Sequence, residues 1–106
     1  ILVTMRGRRS GATRVVPLGA VRDGETWILI GSNAGKARTP GWVHNLRADP
    51  AVVVEHGSAT ADYLAREAHG DDYDRLWSTV TGAYPGYQVY RERTDRPIAL
   101  FVLEPA

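Results

Sequence analysis

Three groups of residues carry the chemistry open to this chain. The first is Gly7-Arg8-Arg9-Ser10-Gly11-Ala12-Thr13-Arg14, set between the strand-like runs Ile1–Met5 and Val15–Leu18. Read as a hairpin turn, it gathers three guanidiniums and two small hydroxyls. Its glycines free the backbone to take positive φ and to approach a partner closely. That set suits a phosphate or a carboxylate; the plainer reading is a solvated basic hairpin tip. The second group is the polar loop Gly31–Thr39, with Ser32 and Asn33, which feeds a helix start at Thr39-Pro40-Gly41-Trp42. The Trp42 indole either stacks on a planar ring or plugs the core. The third is Tyr84, Tyr87 and Tyr90, three apart along one helical flank. They either pack on the body of the protein with hydroxyls at the rim, or wall a pocket and donate a hydrogen bond or proton. Together the groups suit a small molecule with a phosphate and a flat ring. None does redox chemistry unaided, so an oxidoreductase built on them needs a bound cofactor.

Other chemistries lack their residues. There is no cysteine, which removes disulfides, thiol redox chemistry, iron–sulfur clusters and Cys-ligated zinc and fits a reducing, cytoplasmic compartment. His44, His56 and His69 match no metal-ligand spacing, and no metal is expected. Gly31-Ser32-Asn33-Ala34-Gly35-Lys36-Ala37 is one residue short of a P-loop, with Ala37 where a metal-binding hydroxyl is required. No dinucleotide fingerprint or nucleophile elbow is present. A net charge of +1 is too small for the broad basic face of a nucleic-acid binder. No apolar run reaches the length of a membrane span. The chain starts inside a strand, at Ile1-Leu2-Val3-Thr4, so we expect a further N-terminal segment and, through it, peripheral membrane contact.

The elements that must position these groups follow from patterning. At 106 residues the chain is one domain, 1–106. Ile1–Met5 and Arg14–Arg22 read as paired strands, Asp23-Gly24 as a hairpin turn, and Thr26–Ile30 as a strand buried on both faces. Thr39 is the expected N-cap of a short helix, Gly41–Ala48, with Pro40 at its first position. Val52–Glu55 and the half-exposed Ala59–Glu67 are further strands. Tyr73, Leu76, Trp77, Val80 and Tyr84 make an amphipathic stripe on a helix opened by Gly70-Asp71. Pro85-Gly86 breaks it, Tyr87–Arg93 continues, and Ile98–Leu103 is a last buried strand. The order β-β-β-α-β-β-α-α-β is hairpin-rich, which predicts a small antiparallel barrel with helices at one side.

These residues resemble the deazaflavin-dependent nitroreductase and quinone reductase family of actinobacteria, which uses coenzyme F420. The resemblance spans essentially the whole chain. It rests on Thr4-Met5-Arg6-Gly7-Arg8-Arg9-Ser10-Gly11, Arg14 before Pro17-Leu18, and Gly31-Ser32-Asn33 before Pro40-Gly41-Trp42 and Asn45-Leu46. Asp49-Pro50, Tyr84-Pro85-Gly86-Tyr87-Gln88 and Thr94-Asp95-Arg96 complete it. It implies an α+β, mainly β fold: a split β-barrel of antiparallel strands with flanking helices, similar to flavin-binding pyridoxamine oxidases. It implies that Arg8, Arg9, Ser10 and Arg14 take the coenzyme's phosphate and acidic tail. Ser32, Asn33, Pro40, Gly41, Trp42 and Asn45 then surround the deazaflavin ring, and Tyr84, Tyr87 and Tyr90 border the substrate pocket. The implied reaction is hydride transfer from reduced F420 to a quinone, nitroaromatic or conjugated enone. Ser32 and either Tyr87 or Tyr90 are the expected donors to the oxygen that gains charge, with water the other proton source.

Two alternatives stand beside this: an FMN-dependent oxidase or reductase on the same barrel, and a non-catalytic module holding deazaflavin, haem or lipid. Fold analogy adds a homodimer. The family's N-terminal helix, which covers the pocket or touches membrane, has no counterpart in these residues. Asn33 stands where close relatives often carry lysine. Both departures leave the acceptor open.

Overall fold

A computed structural model describes residues 1–106. Seven antiparallel strands form one sheet: β1 (Leu2–Arg6), β2 (Thr13–Pro17), β3 (Ala20–Asp23), β4 (Thr26–Ile30), β5 (Ala51–His56), β6 (Ala59–Glu67) and β7 (Leu100–Pro105). Their spatial order is β2-β1-β5-β6-β7-β4-β3. Three helices accompany them: α1 (Gly41–Ala48), α2 (Gly70–Ala83) and α3 (Gly86–Glu92).

Alternation along the central strands builds two cores back to back. Trp27 and Leu29 of β4, with Phe101 and Leu103 of β7, pack inward beside Val3, Met5, Val52 and Val54. The residues between them, Ile28, Ile30, Leu100 and Val102, face the other way, onto Leu76, Trp77 and Val80 of α2. Thr26–Ile30 therefore lies between two layers, as its unbroken apolar run predicts. Val43 and Leu46 of α1 close the inner core. Each such side chain contributes about 1.5–3 kcal/mol on full burial, which is ample to seat a helix of two turns.

The two edge strands, β2 and β3, follow one another in the chain across only Leu18 and Gly19. That short connection draws opposite edges of the sheet together and curls it into a half-closed barrel. It also corrects the expectation of a single strand over Arg14–Arg22. Pro17 has no N–H to continue a ladder, and the chain turns there to serve both edges. The covering is uneven. The outer face of β3, β4 and β7 lies under α2, whereas the outer face of β1, β2 and β6 leaves Leu2, Val15 and Leu64 exposed.

Smaller corrections have local causes. Pro40, not Thr39, is the N-cap residue of α1, and no side chain caps it; its ψ of 142° is still extended, so the helix starts at Gly41. The last strand begins at Leu100, two residues later than expected. Before it, the carbonyls of Ile98 and Ala99 are taken by the Tyr73 hydroxyl and the Gly31 N–H instead of a strand partner. Tyr84 leaves the apolar stripe: α2 ends at Ala83, and Tyr84 is 57 % exposed. No helix is long and apolar enough to cross a membrane.

Candidate functional site

The basic bend is built by its own backbone before any side chain acts. Gly7 N–H donates to Ala12 O at 2.8 Å, and Gly11 N–H donates to Gly7 O at 2.9 Å. Gly11 sits at φ +72°, a conformation that excludes most side chains. The Ser10 hydroxyl accepts from Ala12 N–H at 3.1 Å, which leaves its own proton free to donate. Arg14 lies over Gly7: a Cβ there would meet its Nε at 3.2 Å.

Asn45 of α1 ties this bend to the barrel. Its Oδ1 accepts from both the Arg8 N–H and Arg8 Nη1, each at 3.1 Å. Arg8 Nη1 also donates to Gly41 O at 3.3 Å. Gly7, Arg8, Arg9, Ser10, Arg14 and Asn45, none of them a hydrophobic residue, line a mainly polar cavity of about 280 Å³. Arg6, Arg47, Arg66 and Arg75 are paired with carboxylates. Arg8, Arg9 and Arg14 have no such partner. Three guanidiniums with no internal counter-charge, around a cavity of this polarity, fit an anionic group. A larger hollow, about 390 Å³, lies on the outer face of β1, β5 and β6, but it contains no comparable cluster of donors.

The second group folds differently. Residues 33–35 form a single 3-10 turn in which Asn33, Ala34 and Gly35 take φ of 45°, 53° and 77°. Ser32, the one buried polar residue, precedes it. Asn33 Nδ2 donates to Arg38 O at 2.8 Å. Gly35 is pressed against α3: a Cβ there would meet Arg93 Cβ and Tyr90 O at 2.9 Å. Gly31, at the turn's entry, abuts Val43 of α1 in the same way, at 3.0 Å. The turn is thus wedged between α1 and α3.

Tyr87 and Tyr90 lie on α3, and Tyr84 lies two residues before it. Rings of Tyr84 and Tyr87 lie 6.2 Å apart, and those of Tyr87 and Tyr90 5.9 Å, both edge to face. Tyr87 is half-buried beside the outer core. Burial pushes its phenol above the ordinary tyrosine range, with Tyr90 and then Tyr84 adding to the shift. It therefore stays protonated, a donor, well past neutral pH. A Cβ on Gly19 would lie 3.6 Å from its hydroxyl, so the Tyr87 tip reaches the joint between the two edge strands. Trp77 Nε1 donates to Gln88 Oε1 at 3.0 Å and fixes α3 on α2.

The structure therefore brings the predicted residues into one contact sequence: bend, α1, turn, α3. It does not join them by one cavity. The polar cavity at the bend ends at Asn45, and Trp42 is half-buried with its ring 6.0 Å from Phe101, edge to face. Between its two readings, Trp42 takes the role of core packing along at least one edge. Sequence reasoning quoted Arg96 only as part of a motif and gave it no task, yet it carries the densest set of bonds in this region. Its Nη1, Nη2 and Nε donate to Gly31 O, Ser32 O and Lys36 O at 3.0, 2.9 and 3.1 Å. The available signal was an arginine directly before a proline, Arg96-Pro97, in the loop between α3 and β7.

A half-closed antiparallel sheet of seven strands with flanking helices defines a split-barrel protein, and beside α1 it carries an arginine cluster with no carboxylate partner. A family model described as F420H(2)-dependent quinone reductase matches residues 1–105. The F420H(2)-dependent quinone reductase of Mycobacterium tuberculosis (strain H37Rv) is 35 % identical over 106 residues, covering 97 % of this chain and 71 % of its own. A solved F420-H2 dependent reductase superposes with a TM-score of 0.87 at 36 % identity, over 97 % of this chain and 91 % of that one. A solved structure described as a domain-swapped dimer superposes with a TM-score of 0.89 at 36 % identity, over 97 % of this chain and 78 % of that one. The chain belongs to the F420H(2)-dependent quinone reductase family, and it is a reductase that uses coenzyme F420.

Proposed function

We propose that this reductase passes a hydride from reduced F420 to a quinone, with the basic bend as the coenzyme's anchor. The carrying observation is the cradle of Arg8, Arg9 and Arg14, which lacks any internal carboxylate and lines a polar cavity with Ser10. When bound, the coenzyme supplies the hydride and the flat redox ring. The protein supplies position and hydrogen bonds. Arg8 is pre-set by Asn45 and Gly41, so its side chain loses little freedom on taking up an anion. Each charge-assisted contact contributes about 1.5–3 kcal/mol. Ser32 and Asn33, held at the wedge between α1 and α3, meet the ring. Tyr87 and Tyr90 face the acceptor, and the protonated Tyr87 phenol is the donor to the quinone oxygen as it gains charge.

A quinone is favoured over a nitroaromatic because the family and the similar proteins are described as quinone reductases. The structure of a relative described as a domain-swapped dimer supports pairing here too. The uncovered outer face with Leu2, Val15 and Leu64 offers the apolar surface for it.

The test is a fluorescence titration with F420 and, separately, FMN, followed by addition of menadione to the reduced coenzyme complex. Tight F420 binding with menadione-dependent reoxidation is expected. F420 binding without turnover on any acceptor would leave a carrier, and binding of FMN alone would move the chain to flavin chemistry.

A further inference from the structure

We propose that Arg96 is a positioning residue for the reaction: its guanidinium holds the Gly31–Lys36 turn in the one shape that presents Ser32 and Asn33 to the coenzyme ring. The inference rests on the placement of the ring proposed above. Arg96 follows Thr94, whose hydroxyl accepts from its N–H at 3.4 Å, and precedes Pro97. Its side chain spans the turn from both ends. Gly31 O and Ser32 O are bound at the entry, and Lys36 O at the exit. Nη1 also reaches Pro97 O at 3.4 Å. All its partners are carbonyls, and it has no carboxylate. A guanidinium has five N–H groups in a fixed plane and can serve four acceptors at once, whereas a lysine ammonium has three donors converging on one point.

The turn needs such a clamp. Three successive residues at positive φ include Asn33 and Ala34, which lack glycine's freedom. Strain of this kind persists only where the surroundings over-determine it, and it gathers at functional sites. Only two backbone bonds lie within the turn itself, from Gly35 N–H to Ser32 O and from Lys36 N–H to Asn33 O. Gly31 and Ser32 are buried, so without Arg96 the Gly31 carbonyl would lose its donor in a place water reaches poorly. Arg96 touches neither the polar cavity at the bend nor the tyrosine hydroxyls. Its removal should therefore misplace the ring site and spare the tail site.

The experiment compares Arg96→Ala, Arg96→Lys and Arg47→Ala with the wild-type chain. Arg47→Ala breaks the Arg47–Glu67 pair, which makes no bond to the turn, and controls for lost stability. Arg96→Ala should lower kcat with menadione by about 10- to 100-fold, the range for a reacting group displaced by an ångström. The F420 dissociation constant should move by less than about tenfold, because the tail contacts survive. Added guanidinium ion should restore part of the lost kcat, and Arg96→Lys should not. Amide exchange of Gly35 and Lys36 should speed up in Arg96→Ala without coenzyme and stay slow in Arg47→Ala. Wild-type kcat in Arg96→Ala, or a matching kcat loss in Arg47→Ala, would overturn the proposal. So would unchanged exchange at Gly35 and Lys36. Failure of the wild-type chain to bind F420 would instead remove the ring placement, while the exchange result would still decide whether Arg96 is the clamp.

Discussion

The bend at Gly7–Arg14 and the turn at Gly31–Lys36 are written in much the same residues: two glycines, a serine and basic side chains. They fold to opposite ends. The bend is open. Its arginines have no acid partner, Ser10 lines a polar hollow, and Asn45 and Gly41 fasten it to α1. The turn is closed. Its glycines are buried against Val43, Tyr90 and Arg93, and a single guanidinium satisfies its carbonyls from outside. On the function proposed above, the first meets the coenzyme's charge and the second presents Ser32 and Asn33 to its ring. Similar composition reaches two functions because one segment joins neighbouring strands at an edge, while the other is wedged between two helices.

The sharpest way to test this contrast is a methyl group on each side. Gly11 and Gly35 both sit at positive φ, but a Cβ on Gly11 meets nothing within 4 Å, whereas on Gly35 it meets Arg93 and Tyr90 at 2.9 Å. Gly35→Ala should cost about 2–4 kcal/mol, left-handed strain plus overpacking. Gly11→Ala should cost about 1 kcal/mol, strain alone. For a chain of this size the first should lower Tm by roughly 10 °C or more, and the second by only about 5 °C. Equal losses would mean that the turn is no more closed than the bend.

A second test separates the donors on α3. Tyr87→Phe should reduce kcat/KM for menadione by about 100-fold if its phenol stabilises the developing oxyanion. Tyr84→Phe, exposed and off the apolar stripe, should change it by less than about twofold. Because burial raises the Tyr87 pKa, the wild-type rate should show no loss from this group up to about pH 10, the ordinary tyrosine value. Stability linked to the neutral phenol follows the same sign. It is intact below about pH 10 and is lost as pH rises through the higher folded value. A rate that falls already between pH 7 and 9 in the wild-type chain and not in Tyr87→Phe would contradict the assignment.

The open bend should answer to charge, not to shape. Arg8→Ala with Arg14→Ala should raise the F420 dissociation constant by ~10- to 100-fold with kcat at saturation preserved, each contact contributing about 1.5–3 kcal/mol with overlap. Added salt should weaken the wild-type chain more than the double variant, since exposed ion contacts are screened over about 8–10 Å. An affinity that ignores both mutation and salt would put the anchor elsewhere.

The sequence was legible where physics is local. Apolar runs marked β4 and β7, and Asp23-Gly24 marked a hairpin, because each signal lies within a few residues of its effect. It was illegible where partners are far apart in the chain. Nothing near Arg96 says that it will bind carbonyls about 60 residues away. Asn45 reads as a ring contact by resemblance, yet its carbonyl oxygen is spent on Arg8, 37 residues earlier. Tyr84 fits the helical period of α2, but Pro85 starts the next helix and leaves it at a corner. The break at Pro17 was missed, since Arg14–Arg22 read as one strand, and only the closure of the barrel explains why the chain turns there.

The smallest effect belongs to the pair that braces α1, the helix standing between bend and turn. Arg47 in its last turn binds Glu67 of β6 through two of its three guanidinium nitrogens, Nε to Oε1 at 2.9 Å and Nη2 to Oε2 at 2.8 Å. These hydrogen bonds hold the Glu67 carboxyl below its usual value of 4.5, against the opposing pull of burial and with smaller help from the charges of Arg47 and His69. A depressed carboxylate stabilises the fold above its unfolded pKa and loses that contribution as pH falls through the folded value. Both side chains meet solvent, at 45 % and 22 % exposure, so screening limits the pair to about 0.5–1 kcal/mol. Glu67→Gln should lose that amount at pH 7 by urea titration and should flatten the decline between about pH 5 and 3. The F420 dissociation constant should stay within about twofold of wild type, because Asn45 and Gly41 hold Arg8 from the other face of the helix. A larger rise in that constant would show that α1 transmits strain from the sheet to the bend, and the bend would then be less independent of the barrel than its open geometry indicates.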